Sequence, residues 1–564
     1  MTANDETMNA TKPGLSEQSQ SYRQLTDLAA DFWAWRASHQ PFSSDDLPRI
    51  ERPPNWLPDW SPTAIAQRRQ DLSLLEDRWR GIDPERWPSA QQVDYRLIGS
   101  AIARVHWELD ITRGHERNPV FYVDQTLGMI FESILRPPPF DEARSLDLVK
   151  RLARVSPTID AAMVNLAGSA VKPFALAAIE KLTDVSTRLL KLAQELYPLL
   201  AGVDSAIFAG VINQAIAELT RFRSWLEAGL PAMSDNAAVG RDGYEYFLKH
   251  VALLPFTPEQ LLALAAQEWE RSVAFEAYEK VRNEGLPDLP LFPDQAAQIA
   301  RELEDELKVR QFLEAHNILT VPAWVKHYRN LPMPAYVEPL SFMGVSDDLT
   351  SATRLSEDGI SYIRPPAPDL DYFSLSIAKD PRPLIVHEGV PGHYLQLVLS
   401  WAHENPLRRR YYDSGANEGI GFYAEELMLQ FGLFDDSPRT REIMYSYMRL
   451  RALRVEVDVK LALGEFSIDE AAARLENIVP IDRATARHEA TFFASSPGQA
   501  ITYQIGKLQI VKFLADARLK LGAEFDLKAF HDFVWKNGNL PIALQRWEYL
   551  GLRDEIEQLG NETK

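Results

Sequence analysis

The 564-residue chain contains no cysteine. Disulfides, thiol nucleophiles, iron–sulfur clusters and thiolate zinc sites are excluded, and any bound metal must be held by His, Asp or Glu. Positive charge is scarce too: 60 Lys and Arg stand against 80 Asp and Glu, a formal net charge of −20. A surface that acidic repels phosphate backbones and anionic lipid, so neither nucleic acid nor membrane is an expected partner. Glycine and proline, at 27 and 37 residues, are too few for a fibrous or disordered chain. Long hydrophobic runs are missing. The longest apolar stretch, residues 197–219, is broken by Asp204, Asn213 and Glu218, and reads as a buried helix rather than a membrane span. The first 20 residues are polar, without the apolar segment of a secretory signal. They are expected to form a mobile leader, and the protein is expected to be cytoplasmic. No phosphate-binding loop, nucleophile elbow or dinucleotide fingerprint occurs.

What is present is helical punctuation. Ser61-Pro62 offers an N-cap followed by a proline at the first helical position, with Ile65, Leu72, Leu75 and Trp79 at helical spacing. Thr257-Pro258-Glu259-Gln260 and Ser467-Ile468-Asp469-Glu470 read as capping boxes. The runs VPAWVKHY, AYVEPLSFMGV and DYFSLSI, between residues 320 and 377, are rich in β-branched and aromatic residues and predict a small antiparallel sheet. The expected architecture is one large, mainly α domain over residues 21–564, bilobed around a cleft. The sheet falls at about 320–380 and helices carrying chemistry at about 384–430.

The chemistry is concentrated in His387-Glu388-Gly-Val-Pro391-Gly392-His393. A His-Glu pair with a second His close behind is the equipment of a zinc hydrolase: two neutral imidazoles hold the ion, and the carboxylate takes a proton from water. The spacing is unusual. In H-E-x-x-H the two His share a helix face, whereas residues six apart lie about 240° apart on a regular helix. Pro391 supplies the remedy, since its ring clashes with the carbonyl of His387 four residues back, and Gly392 accommodates the irregular backbone that follows. The sequence therefore predicts a helix irregularity at 389–392 that returns His393 to the side of His387. The alternative is a pair of helix-terminal histidines in ordinary hydrogen bonds.

Three motifs in order, HEGVPGHYLQ at 387–396, EGIGFYAE at 418–425 and PGQAITYQIG at 497–506, resemble those of the bacterial family called domain of unknown function 885, which is placed among the gluzincin metallopeptidases. The resemblance implies a helical fold like that of thimet oligopeptidase and angiotensin-converting enzyme. It further implies one Zn²⁺ per chain held by His387, His393 and Glu418, Glu388 as general base, and Tyr503 as hydrogen-bond donor to the developing oxyanion. Glu425, on the same helix face as Glu418, is a candidate partner behind the ligands. This chain departs from the family pattern at Ile420, where a Trp is usual, and at Ala462, where a His is usual. Arg408-Arg409-Arg410 reads as a solvated helix end rather than an anion site, His488-Glu489 as structural, and Tyr411-Tyr412 as core. The expected activity is cleavage of an amide bond, most simply in a peptide that pairs with an edge strand near residues 335–377. A metal hydrolase of a non-peptide amide or ester, or a non-catalytic protein keeping the fold, are the rivals. Oligomeric state is left open.

Overall fold

The computed structural model describes residues 15–42, 50–479 and 481–560. Residues 1–14 of the expected leader lie outside them, but its last residues do not: the first helix opens at Leu15. Among the helices are α1 (Leu15–His39), α2 (Pro62–Arg80), α3 (Ser89–His106), α4 (Glu142–Asn165), α5 (Ser205–Gly229), α6 (Pro258–Arg282), α7 (Gln295–Ala315), α8 (His393–Trp401), α9 (Ser414–Phe431), α10 (Pro438–Leu463), α11 (Ile468–Ile478), α12 (Arg483–Ser495), α13 (Thr502–Leu521) and α14 (Leu527–Lys536). The fold is mainly α, as the sequence predicts. No helix among the described residues is long and apolar enough to cross a membrane.

Several helices start where local chemistry dictates. At α6 the Thr257 hydroxyl accepts from the Gln260 N–H at 3.3 Å while the Gln260 amide oxygen accepts from the Thr257 N–H at 2.8 Å. This reciprocal box satisfies two N–H groups that the helix cannot. Ser467 and Glu470 repeat it at α11, and Ser61 caps α2 ahead of Pro62.

The sheet lies where expected but is mixed rather than antiparallel. Strands β1 (Tyr328–Pro332), β2 (Asp347–Asp348) and β3 (Gly359–Ile363) are ordered β1-β3-β2. β1 runs parallel to β3, Tyr328 opposite Gly359, and β2 runs antiparallel to it, Asp347 opposite Ser361. Only the end of VPAWVKHY becomes strand. Glu338–Met343 forms a 3₁₀ turn, and DYFSLSI becomes the helix Tyr372–Ile377. Its cause is Asp371, whose carboxylate accepts from the Ser374 N–H at 3.0 Å and so caps a helix across a β-rich composition.

The core joins distant parts of the chain. Leu28 and Phe32 of α1 and Ile98 of α3 share one apolar cluster with Leu540, Leu544 and Trp547. The short helix Pro406–Arg410 docks into this junction, so Arg408 is not a solvated helix end. It is 4% exposed and donates to Asp94 at 2.7 Å, to Asn537 at 2.7 Å and to Glu548 at 3.0 Å.

Helices α9 and α13 cross backbone to backbone. A Cβ on Gly506 would meet the Gly415 carbonyl oxygen at 2.0 Å and Gly419 Cα at 2.8 Å. Gly419 and Gly506 belong to the second and third motifs, and their contact sets the position of Tyr503 relative to Glu418. Gly506→Ala should destabilise the protein by about 1–3 kcal/mol, the usual cost of overpacking. The urea midpoint reads this directly, and an unchanged midpoint would show that the crossing has slack.

Candidate metal centre

The backbone between Arg382 and His393 decides whether a metal site forms. Arg382 anchors its start through Asp380 and Asp436, each at 2.7 Å. One π-helical turn follows over Ile385–Gly389 and ends at Val390, whose backbone is extended. Pro391 has no N–H with which to resume the helix, and its carbonyl accepts from the Trp535 indole at 2.6 Å. Gly392 lies against the preceding turn so closely that a Cβ would sit 1.8 Å from the His387 carbonyl oxygen. α8 then begins at His393. The irregularity predicted at 389–392 is present and does what was expected of it: the His387 and His393 rings are 4.6 Å apart with their planes at 76°.

α9 brings the third residue. Asp413 caps it by accepting from the Ala416 N–H at 2.7 Å, and Asn417 donates to Gln396 of α8 at 2.9 Å, tying the two helices together. Glu418, 1% exposed, places Oε2 3.4 Å from His387 Nε2 and 3.2 Å from His393 Nε2. Both rings rest on the bare Cα of Gly421, where a Cβ would stand 3.0 Å from each Cε1.

These residues fit a divalent ion. Ligand atoms bonded at 2.0–2.1 Å in a tetrahedron are separated by about 3.3 Å, and the two nitrogen-to-oxygen separations match that edge. The His393 Nδ1 is buried without a hydrogen bond, so the cluster is not a closed hydrogen-bonded network of its own. Burial, reinforced by the Arg451 charge, pushes the His387 imidazole down to about 3 and keeps it neutral, the form that ligates. Glu388 also brings a carboxylate oxygen within 4.8 Å of both histidines. It is half-buried and lines both of the cavities that meet here, whereas Glu418 is fully buried and lines one of them.

Glu425 stands behind the site as the sequence suggested. Its Oε1 is 2.7 Å from His387 Nδ1 and 2.7 Å from Arg451 Nη2. Neither approach is aligned as a hydrogen bond; the one to Arg451 is an attraction of opposite charges, and the one to the neutral His387 ring is a close polar contact. Burial pushes the Glu425 carboxyl up to about 7, with Arg451 and Lys507 pulling the other way. A carboxylate behind a ligating imidazole fixes ring orientation and raises its basicity. Glu425→Gln should weaken zinc binding by about 10–100-fold with the fold retained. Competition against a chromophoric chelator measures this, and wild-type affinity would make Glu425 merely a core carboxylate.

Tyr503 faces His387, ring centres 6.2 Å apart and planes 15° from parallel. It is held from two sides. Arg454 lies 4.8 Å over its ring and is fixed by the buried carboxylate of Glu489. Buried Asp458 accepts from the backbone N–H of Gly498 at 2.9 Å and of Ala500 at 2.7 Å, and from the Tyr244 hydroxyl at 3.0 Å. That clamps the loop that delivers Tyr503. Arg454 and Asp458 were given no role by the sequence, and Glu489 a structural one, which its pairing with Arg454 bears out. The available signal was spacing: Arg451, Arg454 and Asp458 fall on one face of α10, where all three are buried. The departure at Ala462 lies outside the site, in an apolar cluster with Trp107 and Ile501.

Two cavities meet at the cluster. One, of about 590 Å³, is lined by Glu388, His393, Tyr503, Arg454 and Glu489, among others. The second, of about 780 Å³, shares Glu388, His393 and Asp347 with it and extends past Leu397 and Trp401.

Residues 51–547 match the family model described as "Bacterial protein of unknown function (DUF885)". Two solved structures, each described as a "putative lipoprotein", share the fold. One from Shewanella oneidensis has a TM-score of 0.68 at 16% identity, covering 96% of this chain and 100% of its own. One from Colwellia psychrerythraea has a TM-score of 0.72 at 17% identity, covering 97% and 99%. At that identity the likeness is one of fold alone. No curated protein matches the chain.

Proposed function

The chain belongs to the bacterial DUF885 family, and from that premise, with His387, His393 and Glu418 converging as described, we propose that it is a zinc-dependent hydrolase of amide bonds, acting on peptides by a gluzincin-like mechanism. The observation that carries the reading is the approach of both Nε2 atoms to one Glu418 oxygen, at 3.4 and 3.2 Å, beside a further carboxylate that opens onto two cavities. A structural site has no use for Glu388.

His387, His393 and Glu418 would hold one Zn²⁺, which when bound supplies a Lewis acid that acidifies water and polarises a carbonyl. Glu388 would take the proton of the attacking water and return it to the leaving amine. Tyr503 would donate its hydroxyl hydrogen to the carbonyl oxygen as charge builds there, stabilising a charge that exists only in the transition state. Arg454 and Asp458 hold the phenol in place. We read the two cavities as the halves of one cleft. β2 is an edge of the sheet, and Gly344, Val345 and Asp347 line both cavities, so an extended peptide could add to that edge with its carbonyl at Glu388.

Digestion of a peptide library by full-length, zinc-loaded protein, with products identified by mass, tests this. New termini that depend on zinc support it. An intact library under zinc saturation would overturn it.

A further inference from the structure

The larger site cavity opens into a third, of about 640 Å³, with which it shares Glu51, Arg52, Ser351, Leu397 and Trp401. Among the described residues, six charged side chains line this third cavity, and five are arginines: Arg36, Arg52, Arg104, Arg409 and Arg410, against Glu51. In a chain of net charge −20 such a concentration is far from random placement. Arg36 is neutralised by Glu108 through two bonds, at 2.7 and 2.5 Å. The others are not. Arg52 donates to the carbonyls of Ala37 and Gln40 and stacks on Trp56 at 4.3 Å, and Arg409 donates to the His403 carbonyl. Among the described residues no carboxylate forms an ion pair with Arg52, Arg104, Arg409 or Arg410. Backbone carbonyls fix a guanidinium in place without cancelling its charge; Glu51 is the one carboxylate among the described lining residues, and Glu132 near Arg52 and Asp413 near Arg104 act from outside the lining, so four guanidinium groups meet one carboxylate at the hollow itself.

Helix α8 measures how far this hollow lies from the chemistry. Leu397 and Trp401, on the shared wall, follow His393 by one and two turns, about 6 and 12 Å along the axis. An extended peptide covers that distance in roughly two to four residues.

We propose that this arginine pocket is a substrate subsite for a carboxylate, so that the preferred substrates are acidic peptides whose charge lies two to four residues from the bond cleaved. The proposal rests on the peptidase reading for the word substrate, but not for the binding. In a protein whose overall field repels acidic ligands, a local positive well admits them by charge at one place only, which is discrimination rather than general attraction. The reading of 408–410 as a solvated helix end thus fails for Arg408, a buried structural tie, whereas Arg409 and the exposed Arg410 line the pocket.

The test uses three dansyl peptides of one length: one with two Asp near its C-terminus, one with Asn in their place and a free terminal carboxylate, and one with Asn and an amidated terminus. Binding is followed by anisotropy on full-length, zinc-loaded Glu388→Gln protein, at low and moderate salt. The expected order of affinity is the Asp peptide, then the free acid, then the amide, with the differences shrinking as salt rises. Arg104→Glu/Arg410→Glu should weaken the Asp peptide about 10-fold or more and leave the amide within about twofold. Exposed Arg410→Gln alone, which removes no packing, should give a smaller loss in the same direction. A greater loss for the Asp peptide than for the free acid identifies side-chain carboxylates as the source, and equal losses the chain terminus. Equal affinity of all three peptides, or indifference of the Asp peptide to both variants, would overturn the proposal. If the peptides bind by charge but zinc-loaded wild type cuts none of them, the peptidase reading falls and the pocket stands. If all three are cut with equal kcat/KM, the pocket falls and the peptidase reading stands.

Discussion

Glu388→Gln is expected to keep its zinc and its fold and to lose about 10²–10⁴-fold in kcat. Glutamine has the size of glutamate and can still hydrogen-bond a water, but it cannot accept that water's proton. The side chain is half-buried and opens onto both cavities, so the substitution leaves no uncompensated buried charge and no void. Because the missing interaction is a proton transfer made only on the way to the transition state, KM should move little while kcat falls. The measurement needs a peptide substrate, zinc content per chain and an unfolding midpoint for each protein. Wild-type kcat with zinc bound would mean that Glu388 is not the base, and the mechanism above would have to be abandoned.

His393→Ala should lower zinc from about one ion per chain to almost none and remove the stabilisation that zinc brings. A ligand at 1,000 times its Kd stabilises the folded state by about 4 kcal/mol, so the wild-type melting temperature should climb as zinc is added while that of the variant stays flat. His393 is suited to this test because its Nδ1 makes no hydrogen bond, so truncation strands no partner of that atom. Elemental analysis and thermal unfolding with and without zinc give the two readouts. Full zinc content in the variant would remove His393 from the ligand set and leave Glu388 as the candidate in its place.

Where the sequence and the structure agree, the physics is local. Pro391 cannot continue a helix and Gly392 can lie where no side chain fits, so the meeting of His387 with His393 follows from a few consecutive residues. The capping boxes at Thr257 and Ser467 are local in the same sense. Where they differ, the deciding contacts join remote residues. Arg408 looked solvated because Asp94 and Glu548, which enclose it, lie in other parts of the chain. The support of Tyr503 by Arg454 and Glu489, and by Asp458 through the 498–500 loop, depends on how α10, α12 and α13 pack. The strands erred for a third reason: a single capping carboxylate at Asp371 outweighed the β-favouring composition of the residues after it.

The cluster uniting α1 and α3 with residues 540–547 has a consequence for how the protein is made. A ribosome releases the N-terminal helices first and their packing partners roughly 500 residues later, which at about 5–20 residues per second is a wait of roughly 25–100 s. Throughout it, Leu28, Phe32 and Ile98 can pack against the other N-terminal members of the cluster but lack the part that Leu540, Leu544 and Trp547 supply. The beginning of this chain cannot finish folding until almost all of it has been translated, so the first helices to emerge depend on chaperones or on provisional packing for longer than any other part of the molecule.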